Sequence, residues 1–164
     1  MSSGSQIYTL VHVAISLVGI FTGLVVLFGL MAAKRLDRWT AWFLASTVLT
    51  SATGFGFPVD RLLPSHAIGV LSLLVLAVAI YARYARQLVG VWRRVYVVSA
   101  VVALYFNVFV LVVQAFLKVP ALKALAPTQT EWPFGLVQLC IFAAFVVLGT
   151  LATIRFRNEP SSMA

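Results

Sequence analysis

Apolar residues do not alternate with polar ones along this chain; they come in long unbroken runs. Five stretches, 6–33, 40–57, 64–84, 95–117 and 133–154, are dominated by Leu, Val, Ile, Ala and Phe. A helix needs about 20 such residues to cross the hydrocarbon core of a bilayer. The breaks between them are short and of a different character: KRLDRWT (34–40), GFGFPVDRLLP (54–64), RQLVGVWRR (86–94) and KVPALKALAPTQTEWPF (118–134). Glycine and proline in the second break stop a helix, since proline lacks the N–H that the helix ladder needs. The pattern predicts an all-α integral membrane protein, a single domain of five transmembrane helices, with a short polar tail over 155–164.

The last break has structure of its own. Val119, Leu122 and Leu125 recur at helical spacing. Pro120 suits a first helical turn, and Pro127 ends what Pro120 begins. This predicts a short amphipathic helix over 120–126, lying on the membrane surface with Lys118 and Lys123 reaching for phosphates. Thr128-Gln129-Thr130-Glu131 reads as a polar turn that caps the fifth span, with Pro133 in its first turn. Such a segment either covers the mouth of the bundle or simply connects two spans along the interface.

Composition strengthens the membrane reading. The 164 residues are 62% hydrophobic and 10% charged, with a mean hydropathy of +1.04; soluble domains are about 45–50% apolar and about 25% charged. The net charge of +8 does not point to nucleic acid, because the basic residues flank the apolar runs and so act as topology signals. No basic residue precedes the first run, which is longer than a signal-peptide core, so it reads as a retained span with its N-terminus outside. That orientation places Lys34, Arg35, Arg38, Arg83, Arg86, Arg93, Arg94, Arg155 and Arg157 inside, and Arg61, Lys118 and Lys123 outside: nine against three, in the sense the positive-inside rule requires. Trp39, Trp42 and Trp92 then fall at the inner interface and Trp132 at the outer one.

The candidate chemistry is sparse. No Asp, Glu, Lys or Arg lies in the middle of a span, where pumps and ion-coupled carriers keep them. The single cysteine, Cys140, reads as a small buried hydrophobe. Nothing resembles a nucleophile–base pair, a carboxylate pair, a phosphate loop or a metal motif, so no catalytic residue is named. Polar and small residues do line up on helix faces: His12, Ser16, Gly19 and Gly23; Ser46, Thr50, Thr53 and Phe57 with Gly54 beside them; Asn107, Leu111, Gln114 and Lys118; Gly135, Gln138 and Phe142. These faces should turn into the bundle, and such stripes mostly serve helix packing.

Most of the uncommon polar side chains belong to the outer half. His12 and His66 begin two parallel spans at similar depth, so one haem b could be ligated between them, or a quinone carbonyl or a metal ion held. The plainer alternative is that both make interfacial hydrogen bonds. Asn107, Gln114, Gln138, Gln129 and Glu131 complete the expected outer-leaflet pocket. The run YFNVFVLVVQAFLKVPALKALAPTQTEWPF (105–134) resembles small multi-spanning bacterial inner-membrane proteins without an assigned activity; the resemblance implies that membrane and no chemistry. Two other classes fit the same residues: an accessory subunit of a larger membrane complex or a homo-oligomer, its small-residue stripes facing protein, and a carrier or channel for a neutral solute, using the hydroxyls of the second span.

Overall fold

The computed structural model describes the backbone of residues 3–57 and 64–156 and the side chains of residues 4–57 and 67–156. Its helices, in chain order, are α1 (Ser3–Met31), α2 (Asp37–Gly54), α3 (Pro64–Ile80), α4 (Val91–Lys118), α5 (Pro120–Leu125) and α6 (Trp132–Arg155), with a π-helical turn, Tyr81–Ala85, continuing α3. There is no strand among the described residues. Asp60 and Arg61, Arg157 and the rest of the polar tail, and the side chain of His66 lie outside the described residues.

Among the described residues, four helices are long and apolar enough to cross a membrane: α1, α3 with its π turn, α4 and α6. Helix α2 stands apart. Its 18 residues give about 27 Å of helix at about 1.5 Å per residue, but six serines and threonines dilute its hydropathy. Those hydroxyls are largely kept from the outside, since Thr40, Ser46, Thr47 and Ser51 are buried against the neighbouring helices. Helix α5 matches the proline-bracketed segment, with Pro120 in its first turn and Ala126 as its C-cap.

The start of α1 meets the end of α2 (His12–Thr53) and the start of α6 meets the C-terminal half of α4 (Gln138–Phe109), so each of these pairs runs antiparallel. Helix α1 packs most extensively on α2, and α4 occupies the centre, touching α1, α2, α3, α5 and α6. The small residues of α1 set this geometry. A Cβ on Gly23 would lie 2.6 Å from Leu104 Cδ1 and 2.8 Å from the Phe43 ring. One turn away, a Cβ on Gly19 would lie 3.2 Å from the hydroxyls of both Ser46 and Thr47. Only hydrogen at these positions lets three helices converge, which is the use of small-xxx-small spacing in membranes.

The end of the bundle that holds most of the arginines is tied by Arg83, whose side chain is 2% exposed. The π turn delivers it inward. Arg86 N–H donates to Tyr81 O, five residues back, at 3.0 Å, and Leu88 N–H donates to Ala82 O at 3.1 Å. The Arg83 guanidinium pairs with Asp37 at the start of α2. It also lies 5.2 Å from the Tyr96 ring and 5.8 Å from the Tyr84 ring, close enough for cation–π attraction.

Helix α6 corrects two expectations. Of Gly135, Gln138 and Phe142, Gln138 alone is buried: Gly135 has no neighbouring atom within 4 Å of a built Cβ, and Phe142 is half exposed while its ring meets Tyr105 of α4 edge-on at 5.7 Å. Cys140 is exposed, not buried in protein. The reason is that α6 sits at the edge of the bundle and packs mainly on α4 and α1. An apolar run then reports lipid contact on most faces and does not single out the protein-facing one.

Candidate functional site

The N-terminal half of α1, the C-terminal half of α2, the start of α3 and the C-terminal half of α4 meet at one end of the bundle. They enclose a cavity of about 330 Å³. Its wall is mostly apolar: Leu17, Ile20, Phe55, Phe57, Ile68, Phe106 and Val110 all face it. Into this wall are set His12 and Ser16 from α1, Thr50 and Ser51 from α2, Ser72 from α3, and Asn107, Gln114 and Lys118 from α4. An apolar cavity with a few convergent polar groups is the usual form of a small-molecule site, and occupied sites run from about 300 to 1,000 Å³.

His12 is the most constrained of these groups. Its Nδ1 lies 2.8 Å from Thr53 Oγ1. The Phe57 ring packs edge-on against the imidazole at 5.1 Å, with 88° between the planes. Tyr8 closes the outside of this corner: its hydroxyl donates to Thr53 O, and its ring meets Phe57 at 5.0 Å. The corner is therefore a packed unit joining the first turns of α1 to the end of α2.

Deeper in, the hydroxyls and the amide pair off. Ser51 Oγ donates to Ser72 Oγ at 3.1 Å, joining α2 to α3. Asn107 Nδ2 donates to Thr47 Oγ1 at 3.2 Å, joining α4 to α2 beside Gly19. Thr50 is different. Its Oγ1 is buried and has no hydrogen-bond partner among the described residues, yet Thr50 lines the cavity. A buried hydroxyl without a partner costs about 1–3 kcal/mol; the oxygen itself is enclosed, although Thr50 lines the cavity.

The structure thus gathers His12, Asn107 and Gln114 of the expected site around one space. It does not bring Gln138, Gln129 or Glu131 there. Gln138 Nε2 donates to Phe109 O at 3.3 Å, between α6 and α4. Gln129 Nε2 donates to Val113 O at 2.8 Å. Both amides staple α6 and the segment before it to the backbone of α4, on a side of that helix away from the cavity. Glu131 turns back on its own loop. Its carboxylate accepts from Thr128 N–H at 3.2 Å, Thr128 Oγ1 at 2.9 Å and Thr130 N–H at 3.1 Å. Desolvation works to raise the Glu131 pKa, but these bonds outweigh it and hold the carboxyl below its ordinary value. The capping expected of the threonine turn is therefore reversed, with the acid accepting and the threonines donating. Helix α5 buries no side chain and packs against α4, and none of residues 119–131 lines the cavity.

Sequence reasoning missed Phe55, Ser51 and Ser72, and it placed Thr53 and Phe57 only in a packing stripe. A hydroxyl-rich α2 was the available signal, but which hydroxyl faces which helix depends on helix rotation. His66, paired with His12 in the haem and metal expectation, has no described side chain. Among the described residues no three His, Cys, Asp or Glu side chains cluster as a metal site would require. No protein-family model, curated protein or solved structure matches the chain.

Proposed function

We propose that the chain is a five-span bacterial inner-membrane protein, N-terminus outside and C-terminus inside, that binds a small, largely apolar ring ligand in an outer-leaflet cavity. The observation that carries the reading is the cavity itself, an apolar chamber with the imidazole of His12 held in place. Helix α2 is counted as the fifth span because its polar side chains are turned inward and its length approaches the hydrocarbon thickness of about 30 Å. The distribution of basic residues supports the orientation. Of the two redox ligands considered, a quinone fits better than haem b. At about 330 Å³ the chamber is near the lower end of occupied sites, which suits a single ring and not a macrocycle of four pyrroles. The role is ligand binding or electron transfer within the membrane, not hydrolysis.

The test is purification in mild detergent, an absorption spectrum, and mass spectrometry of the extracted small molecules. The expected result is a co-purifying quinone or quinol, or saturable binding of an added short-chain hydroquinone, reduced by His12→Ala. A Soret band lost in His12→Ala would replace quinone with haem. A protein that carries no such ligand and binds none would overturn the reading. A second reading, an accessory subunit of a membrane complex, is favoured by one observation: Leu136, Leu139, Val146 and Val147 leave a broad face of α6 exposed. Co-purification of a stoichiometric membrane partner would support it.

A further inference from the structure

The hydrogen bonds around His12 fix more than its position. Thr53 Oγ1 lies 2.6 Å from Leu49 O, the carbonyl one turn back in α2. A carbonyl oxygen can only accept, so the hydroxyl proton points at Leu49. A threonine hydroxyl has one proton to give and lone pairs to accept with. Thr53 Oγ1 therefore meets His12 Nδ1 with a lone pair, and the 2.8 Å contact must be made by a proton on Nδ1. A neutral imidazole carries one N–H and one bare nitrogen, and the tautomer follows from the bond its other nitrogen makes. Nε2 of His12 is therefore the bare one. It is an acceptor on a side chain that lines an apolar chamber, with Phe57 packed against the ring to stop it turning.

We infer that this site selects a ligand whose ring bears a hydroxyl, a phenol or hydroquinone head, with the hydroxyl donating to His12 Nε2. The inference rests on the ligand-binding reading above and narrows it from ring compounds in general to the hydrogen-donating form. A quinone carbonyl and a bare imidazole nitrogen are both acceptors and make no bond. A hydroquinone supplies the missing proton at one oxygen. Gln114 and Lys118, which line the same cavity, carry donors for a second oxygen. The aromatic walls, Phe55, Phe57 and Phe106, suit the faces and edges of a ring.

The experiment uses two redox-inert probes of one chain length, a 4-alkylphenol and the matching 4-alkylanisole, in which the hydroxyl is methylated. Binding to the full-length protein in one detergent is measured by calorimetry at pH 8, above the ordinary imidazole value of about 6.5. The phenol should bind about tenfold tighter than the anisole, the effect of one neutral hydrogen bond near the top of its usual net range. His12→Phe should bring the ratio close to one, and detergent partitioning cancels because both proteins see the same micelle. Thr53→Val should also lower the ratio, since Nδ1–H then loses the acceptor that fixes the tautomer; it keeps the test open should His12→Phe fold poorly. Equal binding of phenol and anisole to the unaltered protein would overturn the inference alone, leaving a ring-binding cavity. A preference that survives both substitutions would also overturn it. Binding of neither probe would overturn it together with the reading on which it rests.

Discussion

Replacing Gly23 with alanine adds one methyl group where α1, α2 and α4 come closest. The added carbon would lie 2.6 Å from Leu104 Cδ1 and 2.8 and 2.9 Å from two atoms of the Phe43 ring. Carbon atoms in ordinary contact are about 3.5–4.0 Å apart, so the overlap with Leu104 is roughly 0.9 Å. Leu104 and Phe43 are each 1% exposed, so neither can turn outward without opening the core. Overpacking of this kind costs about 1–3 kcal/mol. Against it stands the helix preference for alanine over glycine, about 1 kcal/mol. With both neighbours enclosed the overlap should win, for a net loss of up to about 2 kcal/mol. Gly135 supplies the control. Nothing lies within 4 Å of a Cβ built there, so Gly135→Ala should keep the whole helical gain of about 1 kcal/mol. Gly19→Ala, with its nearest neighbours at 3.2 Å, should fall between the two. The assay is unfolding in mixed micelles by a denaturing detergent, followed by tryptophan fluorescence. A midpoint for Gly23→Ala equal to or above that of Gly135→Ala would show that α1 does not cross α2 and α4 at Gly23.

Two further predictions concern the ends of the bundle. Asp37→Asn removes the carboxylate partner of a guanidinium that is almost wholly enclosed, but the Asp37 side chain is itself 67% exposed. Solvent screening therefore keeps the cost well below the 3–5 kcal/mol of a fully buried pair; about 1 kcal/mol is expected in the same unfolding assay, and a loss above about 3 kcal/mol would contradict the exposed placement of Asp37. Glu131 has a folded pKa below its ordinary value of 4.5, so its stabilising bonds are fully present above that value and are lost as pH falls through the lower folded pKa. The amide resonances of Thr128 and Thr130 should shift together below pH 4.5, and Glu131→Gln should abolish the transition; shifts centred above that pH would refute the hydrogen-bonded placement of Glu131.

The helices themselves were legible because membrane insertion demands something composition can show, some 20 apolar residues in a row. Helix α5 was legible for another reason: Pro120 and Pro127 mark its limits in the covalent chain. Helix rotation was not legible. His12, Asn107 and Gln114 could be assigned to inward faces because each sits on a stripe with other polar residues. Gln138 and Gln129 looked equivalent by type and depth, yet their amides bond to carbonyls of α4, a partner that no side-chain pattern reveals. Gly135 and Cys140 failed for the reason that lipid and protein interiors are both apolar, so a helix at the edge of a bundle carries little signal of which face is which. The Arg83–Asp37 pair was missed because Arg83 was counted only as a topology signal.

The π turn at Tyr81–Ala85 also works as an offset in a ruler. Each α-helical residue advances about 100° around the axis at 3.6 residues per turn, and a wide turn inserts one residue without adding a full step to the ladder. Every side chain beyond it is displaced by about that angle relative to an unbroken α3. Removing one residue of this segment on the α3 side of Arg83 would turn the arginine by about 100° from its place beside Asp37 and Tyr96. The length of this short segment, not only the presence of an arginine in it, decides whether the positive charge closes the core or faces outward.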